Sequence, residues 1–249
     1  GTLSPELDSN SVIKFENVEF SYGRETVLQD VSFSIDRGEK IAIVGETGAG
    51  KSTIAKLILR FYLPIKGDVK FYGESSKEIS QKWARKNIAY VPQESFLFRG
   101  SIRDNLIYSN PEKIDLKSEL ENIGLIDWFE RYEDGLEQDV GERGANVSAG
   151  ERQFIALLRA VLAKRQIIVF DEATANLDIE SESSILDATD TLLDYQTSVV
   201  IAHRLETILN AEKILVMSEG KLVGFDNHET LLANNEIYQQ LFSAWNLVN

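Results

Sequence analysis

The segment from Gly45 to Ser52 has the residue types and spacing of a phosphate-binding loop. It reads G-E-T-G-A-G-K-S and fits the pattern G-x-x-x-x-G-K-[ST], between an apolar strand and a helical pattern. Glycines allow a tight turn whose N–H groups point at phosphate oxygens, and the helix N-terminus adds partial positive charge. A glycine-rich turn without a ligand is the alternative, which this context disfavours. The predicted ATP-binding residues are Gly45, Glu46, Thr47, Gly48, Ala49, Gly50, Lys51, Ser52 and Thr53, with Lys51 on the outer phosphates and Ser52 on Mg²⁺.

A pair of carboxylates follows the apolar run Ile167–Phe170. The run and the pair together follow the Walker B pattern, in which Asp171 at the strand end suits direct or second-shell coordination of Mg²⁺. Glu172 could polarise the attacking water as a general base. The alternative is that both carboxylates cap the next helix.

Two further polar residues follow apolar runs of the same kind. Gln93 comes shortly after Ile88–Val91, and His203 comes directly after Val199–Ala202. Because ligands of open parallel sheets bind outside the carboxyl ends of the strands, we expect these side chains to converge with the loop on one edge. A lone histidine after a strand is more often structural, and the convergence favours a functional reading for His203.

The patterns predict an α/β fold with a mainly parallel sheet and an N-terminal antiparallel β subdomain. Partial alternation in Ile13–Phe20 and Val31–Ile35 is typical of antiparallel strands, whereas continuous apolar runs such as Ile41–Val44 suit parallel strands covered on both faces. We expect residues 1–11 to be a linker or tail and 12–249 to be one domain, with a helical subdomain inserted at about 94–164. The first residue is not methionine, and we expect the chain to be a piece of a longer protein.

Helical spacing places two sets of apolar residues on buried helix faces. The sets are Ile54, Leu57, Ile58 and Phe61, and Phe154, Leu157, Leu158 and Val161. Ser118-x-x-Glu121 predicts a capping box that opens a helix through Ile123 towards Trp128. We expect His228 to cap a helix at the surface.

The segment Val147–Gln153, V-S-A-G-E-R-Q, resembles the signature motif of ATP-binding-cassette (ABC) proteins, usually written L-S-G-G-Q-R-Q. The resemblance extends over Ile13 to Leu241 and implies a P-loop NTPase core with ATP hydrolysis. It implies catalytic roles for Glu172, His203 and Gln93, and Mg²⁺ ligands at Ser52, Gln93 and Asp171. It also implies that Tyr22 stacks on adenine and that Asp178 belongs to the D-loop. An aromatic residue such as Tyr22 is otherwise commonly packing.

In this family the signature contacts the γ-phosphate of a nucleotide held by another subunit. The resemblance assigns that contact to Ser148, Ala149, Gly150 and Glu151. Two residues depart from the pattern, because Ala149 replaces a glycine and Glu151 replaces the usual glutamine. How tightly two copies would associate around the nucleotides does not follow from a pattern with these two replacements. Ser148-x-x-Glu151 is also a capping box, so the segment could simply begin a helix.

Two segments resemble the exporter branch. Asp139–Gly144 is similar to the X-loop, and Pro92–Ile102 is similar to a Q-loop region whose aromatic face receives coupling helices; Phe96 and Phe98 could equally pack in a core. The branch implies a homodimer or heterodimer of ATPase domains with a transmembrane domain on the same or a partner chain. It implies a location at the cytoplasmic face of a membrane, such as the inner or plasma membrane.

Composition narrows the classes that remain. The net charge is −14, which disfavours nonspecific binding to nucleic acid, and the absence of cysteine excludes disulfides and thiolate metal sites. One alternative is an ABC-family ATPase of DNA repair or translation; the repair type needs a long coiled coil between Lys51 and Ser148, and no sustained heptads occur there. A noncatalytic binding module and a P-loop kinase are weaker alternatives, since they leave Asp171-Glu172 or the signature segment unexplained.

Overall fold

The computed structural model describes residues 1–108, 115–171, 196–202 and 204–248. These form two compact units. The first holds residues 1–88, 169–171, 197–202 and 204–248, and the second holds 89–108, 115–168 and Gln196. Three predicted site residues, Glu172, Asp178 and His203, lie outside the described residues.

The described strands are β1 (Ser11–Tyr22), β2 (Glu25–Asp36), β3 (Lys40–Gly45), β4 (Lys66–Phe71), β5 (Glu74–Ser75), β6 (Ile88–Val91), β7 (Ile167–Asp171), β8 (Thr197–Ile201), β9 (Lys213–Ser218) and β10 (Lys221–Asp226). The described α-helices are α1 (Lys51–Ile58), α2 (Gln81–Asn87), α3 (Ile102–Ile107), α4 (Leu116–Asn122), α5 (Ile126–Glu130), α6 (Ala149–Leu162), α7 (Leu205–Leu209), α8 (His228–Asn234) and α9 (Glu236–Val248). Short 3-10 turns cover Gly135–Glu137 and Glu142–Gly144.

The N-terminal strands form the predicted antiparallel sheet, in the order β2-β1-β4-β5. Phe15 of β1 pairs with Phe33 of β2, and their rings stack with centroids 4.4 Å apart. Next to this pair the register shifts, and Asn17 and Asp30 adopt positive φ angles of 48° and 52°. Asn and Asp tolerate this conformation better than most residues. Asn17 Nδ2 donates to Asp30 Oδ1 at 2.8 Å, which ties the two irregular positions together.

The second sheet has the order β10-β9-β3-β8-β7-β6. Strand β3 is parallel to both neighbours, β8 and β9, and its residues Ile41–Val44 are at most 1% exposed. Such continuous burial is expected of a parallel strand covered on both faces. The predicted fold class is therefore confirmed. Sequence reasoning missed β9 and β10, although the fully buried run Ile214–Met217 carries the same apolar signal.

Helix α1 buries three of its four predicted apolar positions. Ile54, Leu57 and Ile58 are at most 1% exposed, but the helix ends at Ile58, and Phe61 is 60% exposed. Arg60 has a φ of 55°, so the backbone leaves the helical path before Phe61. The prediction for Phe61 is wrong because periodicity does not show where a helix ends.

The second unit contains helices α3 to α6. The predicted face of α6 is confirmed, since Phe154, Leu157, Leu158 and Val161 are at most 2% exposed. The predicted helix start at Ser118 is wrong: Asp115 caps α4 by accepting from Ser118 N, and α4 ends at Asn122. Trp128 belongs to the separate helix α5.

Hydrogen bonds hold the N-terminal segment against the first unit. Leu3 exchanges backbone hydrogen bonds with Glu78 and Ser80, and Trp83 Nε1 donates to the carbonyl oxygen of Pro5 at 3.1 Å.

In the C-terminal part of the chain, His228 does not cap α8. Asn227 is the cap residue, and its Oδ1 accepts from Thr230 N at 2.9 Å. His228 Nδ1 is instead 2.7 Å from the hydroxyl of the fully buried Tyr238. The histidine therefore ties α8 to α9 rather than satisfying a helix end.

Candidate functional site

The loop between β3 and α1 depends on glycines that adopt positive φ angles. Gly45, Gly48 and Gly50 have φ values of 149°, 84° and 101°. Gly50 is the N-cap of α1, so the backbone reverses immediately before the helix begins. Residues with a Cβ rarely adopt these angles, which explains the glycines of the sequence pattern.

Strand β9 adds a second constraint at Gly45. Gly45 pairs with Met217 in the parallel ladder, and a Cβ at Gly45 would lie 2.3 Å from the carbonyl oxygen of Met217. That clash is with backbone and could be relieved only by moving a strand. A Cβ at Gly48 would meet nothing within 4 Å. The two glycines are therefore required for different reasons.

This difference predicts that alanine substitutions at Gly48 and Gly45 lower the free energy of unfolding by different amounts. Gly48→Ala should lower the free energy of unfolding by about 1–2 kcal/mol, since it adds only the strain of a left-handed residue. Gly45→Ala adds the clash with Met217 and should destabilise by about 3 kcal/mol or more, in the range of severe backbone disruption. Urea unfolding of the two variants measures the difference. Equal losses would contradict the assignment of Gly45 to close strand packing.

Lys51 folds back across the loop. Its side chain is only 7% exposed, and Nζ donates to the carbonyl oxygens of Gly45 and Glu46 at 2.6 and 2.9 Å. The neighbours Ala49 and Thr53 are buried, whereas Glu46, Thr47, Gly48 and Ser52 are exposed. The loop thus holds a buried ammonium beneath an exposed rim and a helix N-terminus, an arrangement suited to anions.

Tyr22 ends β1 in the same unit and is 37% exposed. Its ring makes T-shaped contacts with Phe20 and Tyr62, at centroid distances of 4.9 and 5.4 Å. The ammonium of Lys56 lies 5.5 Å from the centre of the Tyr22 ring. Sequence reasoning missed Lys56 and Tyr62, because neither forms a local pattern with Tyr22.

The remaining strand-end residues are only partly described. Asp171 is the last residue of β7 and is half-buried. Gln93 is exposed and belongs to the second unit, shortly after β6. Ala202 N donates to the carbonyl oxygen of Ile43 at 3.1 Å, which fixes the end of β8 beside the strand that leads into the loop.

The signature segment forms the N-terminus of α6. Ser148 Oγ accepts from Glu151 N at 3.2 Å, and Ser148 N donates to Glu151 Oε2 at 2.7 Å. The predicted capping box is confirmed. Ser148 and Ala149 are exposed, and Gly150 is half-buried, so this helix end faces out of its unit. Sequence reasoning missed the partner of Glu151: Arg131 Nη2 donates to Glu151 Oε1 at 2.9 Å.

Comparisons with known proteins identify the family. A family model described as "ABC transporter" matches residues 28–175. The chain is 38% identical over 250 residues to "ATP-dependent lipid A-core flippase 1" of Colwellia psychrerythraea, covering 94% of this chain and 42% of that protein. It is 39% identical over 238 residues to human "Iron-sulfur clusters transporter ABCB7, mitochondrial", covering 93% and 31%. A solved structure, "Structure of a bacterial Atm1-family ABC exporter with ATP bound", matches with a TM-score of 0.87 and 34% identity, covering 98% and 43%.

The chain belongs to the ABC transporter family, and its fold is that of a P-loop NTPase core. It spans less than half the length of each of these three relatives.

Proposed function

We propose that the chain binds ATP with Mg²⁺ in the loop of residues 45–53 and hydrolyses it to drive export across a membrane. The observation that carries this proposal is the buried ammonium of Lys51, held inside the loop by two carbonyl oxygens. A chain of net charge −14 repels a nucleotide at long range, so binding must depend on local cations and backbone donors. Lys51 and the N-terminus of α1 supply both at one place.

Tyr22 provides a surface for the adenine ring. It is exposed, it belongs to the same unit as the loop, and Phe20 and Tyr62 support its ring. Stacking of a base on an aromatic ring contributes about 1–3 kcal/mol.

Ser52, Asp171 and Gln93 offer the hydroxyl, carboxylate and amide oxygens that Mg²⁺ prefers. In the described part of the chain, no group of three or more His, Cys, Asp and Glu side chains could hold a metal alone. This fits a Mg²⁺ ion held by few protein oxygens together with nucleotide phosphates. When bound, the ion would neutralise charge on the phosphates.

Hydrolysis needs an activated water. We assign the general base to Glu172, which follows Asp171, and a supporting role at the phosphate to His203, which follows Ala202. We also propose Gln93 as a ligand of Mg²⁺ and a participant in hydrolysis.

Two copies, or this chain and a different half, would meet head to tail around two nucleotides. The segment Ser148–Glu151 at the N-terminus of α6, of which Ser148 and Ala149 are exposed, would contact the nucleotide of the other copy, and we assign Asp178 to the D-loop. One self-complementary surface then completes both sites. The exposed position of this helix end supports the assignment.

The exporter relatives support association with a membrane. We propose a transmembrane domain as partner, on the same or another chain, and a place at the cytoplasmic face of an inner or plasma membrane. None of the helices among the described residues has the length and apolar character to cross a bilayer. An ABC-family ATPase of DNA repair or translation is not favoured, because these relatives are transporters.

A phosphate-release assay tests the proposal. The chain should release phosphate from ATP only with Mg²⁺, and turnover per chain should rise with chain concentration, because each site needs a second copy. Light scattering should show monomers without nucleotide at low salt, since acidic surfaces repel. The control is the same assay with EDTA. Mg²⁺-independent release would contradict the proposed role of the metal, and turnover per chain that does not change with concentration would contradict the two-copy mechanism.

A further inference from the structure

Arg131 and Glu151 form an ion pair at the N-terminus of the signature helix α6. Arg131 Nη2 donates to Glu151 Oε1 at 2.9 Å. The guanidinium carbon also lies 3.7 Å from the centre of the Trp128 ring and 5.3 Å from that of Tyr132. The two charged side chains are 37% and 23% exposed. The aromatic rings hold the guanidinium in place, which distinguishes this pair from a solvated surface ion pair.

Both carboxylate oxygens of Glu151 are engaged, because Oε2 accepts from Ser148 N while Oε1 accepts from Arg131. Partial burial opposes ionisation of Glu151, but hydrogen bonding to the backbone N–H of Ser148 and to neighbouring side chains, with a smaller contribution from the Arg131 charge, keeps its pKa below the ordinary value. Glu151 is therefore a carboxylate at neutral pH.

That carboxylate changes the electrostatics of the helix end. A helix N-terminus carries roughly half a positive charge, which is what makes it attract anions. The full negative charge of Glu151 reverses the local sign, and the full positive charge of Arg131 restores it. A glutamine, which is usual in the family pattern, keeps the cap without a charge and would need no such partner.

We propose that Arg131 is a positioning residue for the signature segment. Its ion pair with Glu151 orients the Ser148 cap and cancels the carboxylate, so that the helix end stays attractive to the nucleotide phosphates of the other copy. This inference rests on the proposed contact between copies.

The test compares Arg131→Gln with Arg131→Lys, measuring the ATP-dependent dimer by light scattering in the Glu172→Gln background, where turnover is slow. Both variants lose the guanidinium, but only lysine keeps the charge. Arg131→Gln should raise the dimer dissociation constant about tenfold, as expected for one uncompensated charge near a phosphate. Arg131→Lys should remain close to the parent.

A second substitution separates charge from packing. Adding Glu151→Gln to Arg131→Gln removes the uncompensated carboxylate and should restore the dimer to within about twofold of the parent, a non-additive result typical of directly coupled residues. Salt should narrow the gap between Arg131→Gln and the parent, because it screens the free carboxylate. Affinity of the monomer for ATP should not change. The matched control is Arg103→Gln, which breaks the Arg103–Glu137 ion pair of the same unit and should leave the dimer unaffected.

An Arg131→Gln variant that dimerises like the parent overturns the inference. So does failure of Glu151→Gln to rescue it, since the loss would then come from packing on Trp128. These outcomes differ from failure of the proposed function. If Ser148→Arg prevents the dimer while Arg131→Gln does not, the contact between copies stands and only the role of Arg131 falls. If Ser148→Arg has no effect, the contact itself is wrong.

Discussion

Lys51→Ala is expected to weaken binding of MgATP by about 100-fold or more. The ammonium makes two hydrogen bonds inside the loop, to the carbonyl oxygens of Gly45 and Glu46. In the proposed function it would instead donate to phosphate oxygens of ATP. A hydrogen bond from the ammonium to a phosphate oxygen would contribute about 1.5–3 kcal/mol, so the loss of two such bonds would weaken binding by about 100-fold or more. Titration of the variant with a fluorescent ATP analogue in the presence of Mg²⁺ measures the affinity.

Lys66→Ala is the matched control for Lys51→Ala. Lys66 pairs with Glu19 at 2.8 Å in the same unit, so its removal changes the net charge equally without touching the loop. Affinity for ATP should then remain close to that of the unmodified chain. Unchanged affinity in Lys51→Ala, or an equal loss in both variants, would remove the loop from the binding site.

The parts of the fold that local pattern determines could be predicted from the sequence. The glycine and lysine spacing of the loop, the buried run of β3 and the cap at Ser148 all depend on neighbours within a few positions. At each of them propensity, periodicity and capping favour the same structure, and such agreement is typical of a foldable sequence. These elements include the one that carries the proposed phosphate contacts.

The errors lie where local signals compete. Ser118-x-x-Glu121 has the spacing of a capping box. Asp115, three residues earlier, is nevertheless the N-cap, because its carboxylate accepts a hydrogen bond from Ser118 N. His228 follows Asn227, which is the better N-cap because its side-chain oxygen reaches the backbone N–H of Thr230. In both cases two candidate residues lie within one helical turn, and only the backbone geometry selects between them.

What the sequence did not reveal is contact between distant residues. Arg131 directly follows α5, whereas Glu151 lies in α6. Gly45 is constrained by Met217 of a strand formed far along the chain. Neither contact produces a repeating pattern of residue types that a single sequence would show. The cap at Ser148 could therefore be predicted from the sequence, but the ion pair that neutralises Glu151 could be recognised only from the structure.

Glu172→Gln is expected to reduce ATP turnover by about 10²- to 10⁴-fold, the range usual for loss of a general base. The amide has nearly the size of the carboxylate but cannot accept a proton from water, so ATP and Mg²⁺ should still bind. Removing the carboxylate that we propose next to the γ-phosphate should also stabilise the ATP-bound pair of copies. Phosphate release measures the first effect, and a sizing column run with ATP should show a dimer. If this variant turned over ATP at the wild-type rate, Glu172 would not be the general base.

Ser148→Arg, added to Glu172→Gln, should prevent that dimer. Ser148 is exposed at the N-terminus of α6, so a bulky arginine there would occupy the place proposed for the phosphate of the other copy. ATP should bind the monomer as before, because Ser148 is not among the residues proposed to bind the nucleotide within one copy. Ser148→Ala is the matched control: it removes the same cap, a loss of about 1 kcal/mol of helix stability, without filling the space. The alanine variant should still dimerise, although more weakly. A Ser148→Arg variant that forms the dimer as readily as its parent would leave Ser148 with the role of a helix cap alone.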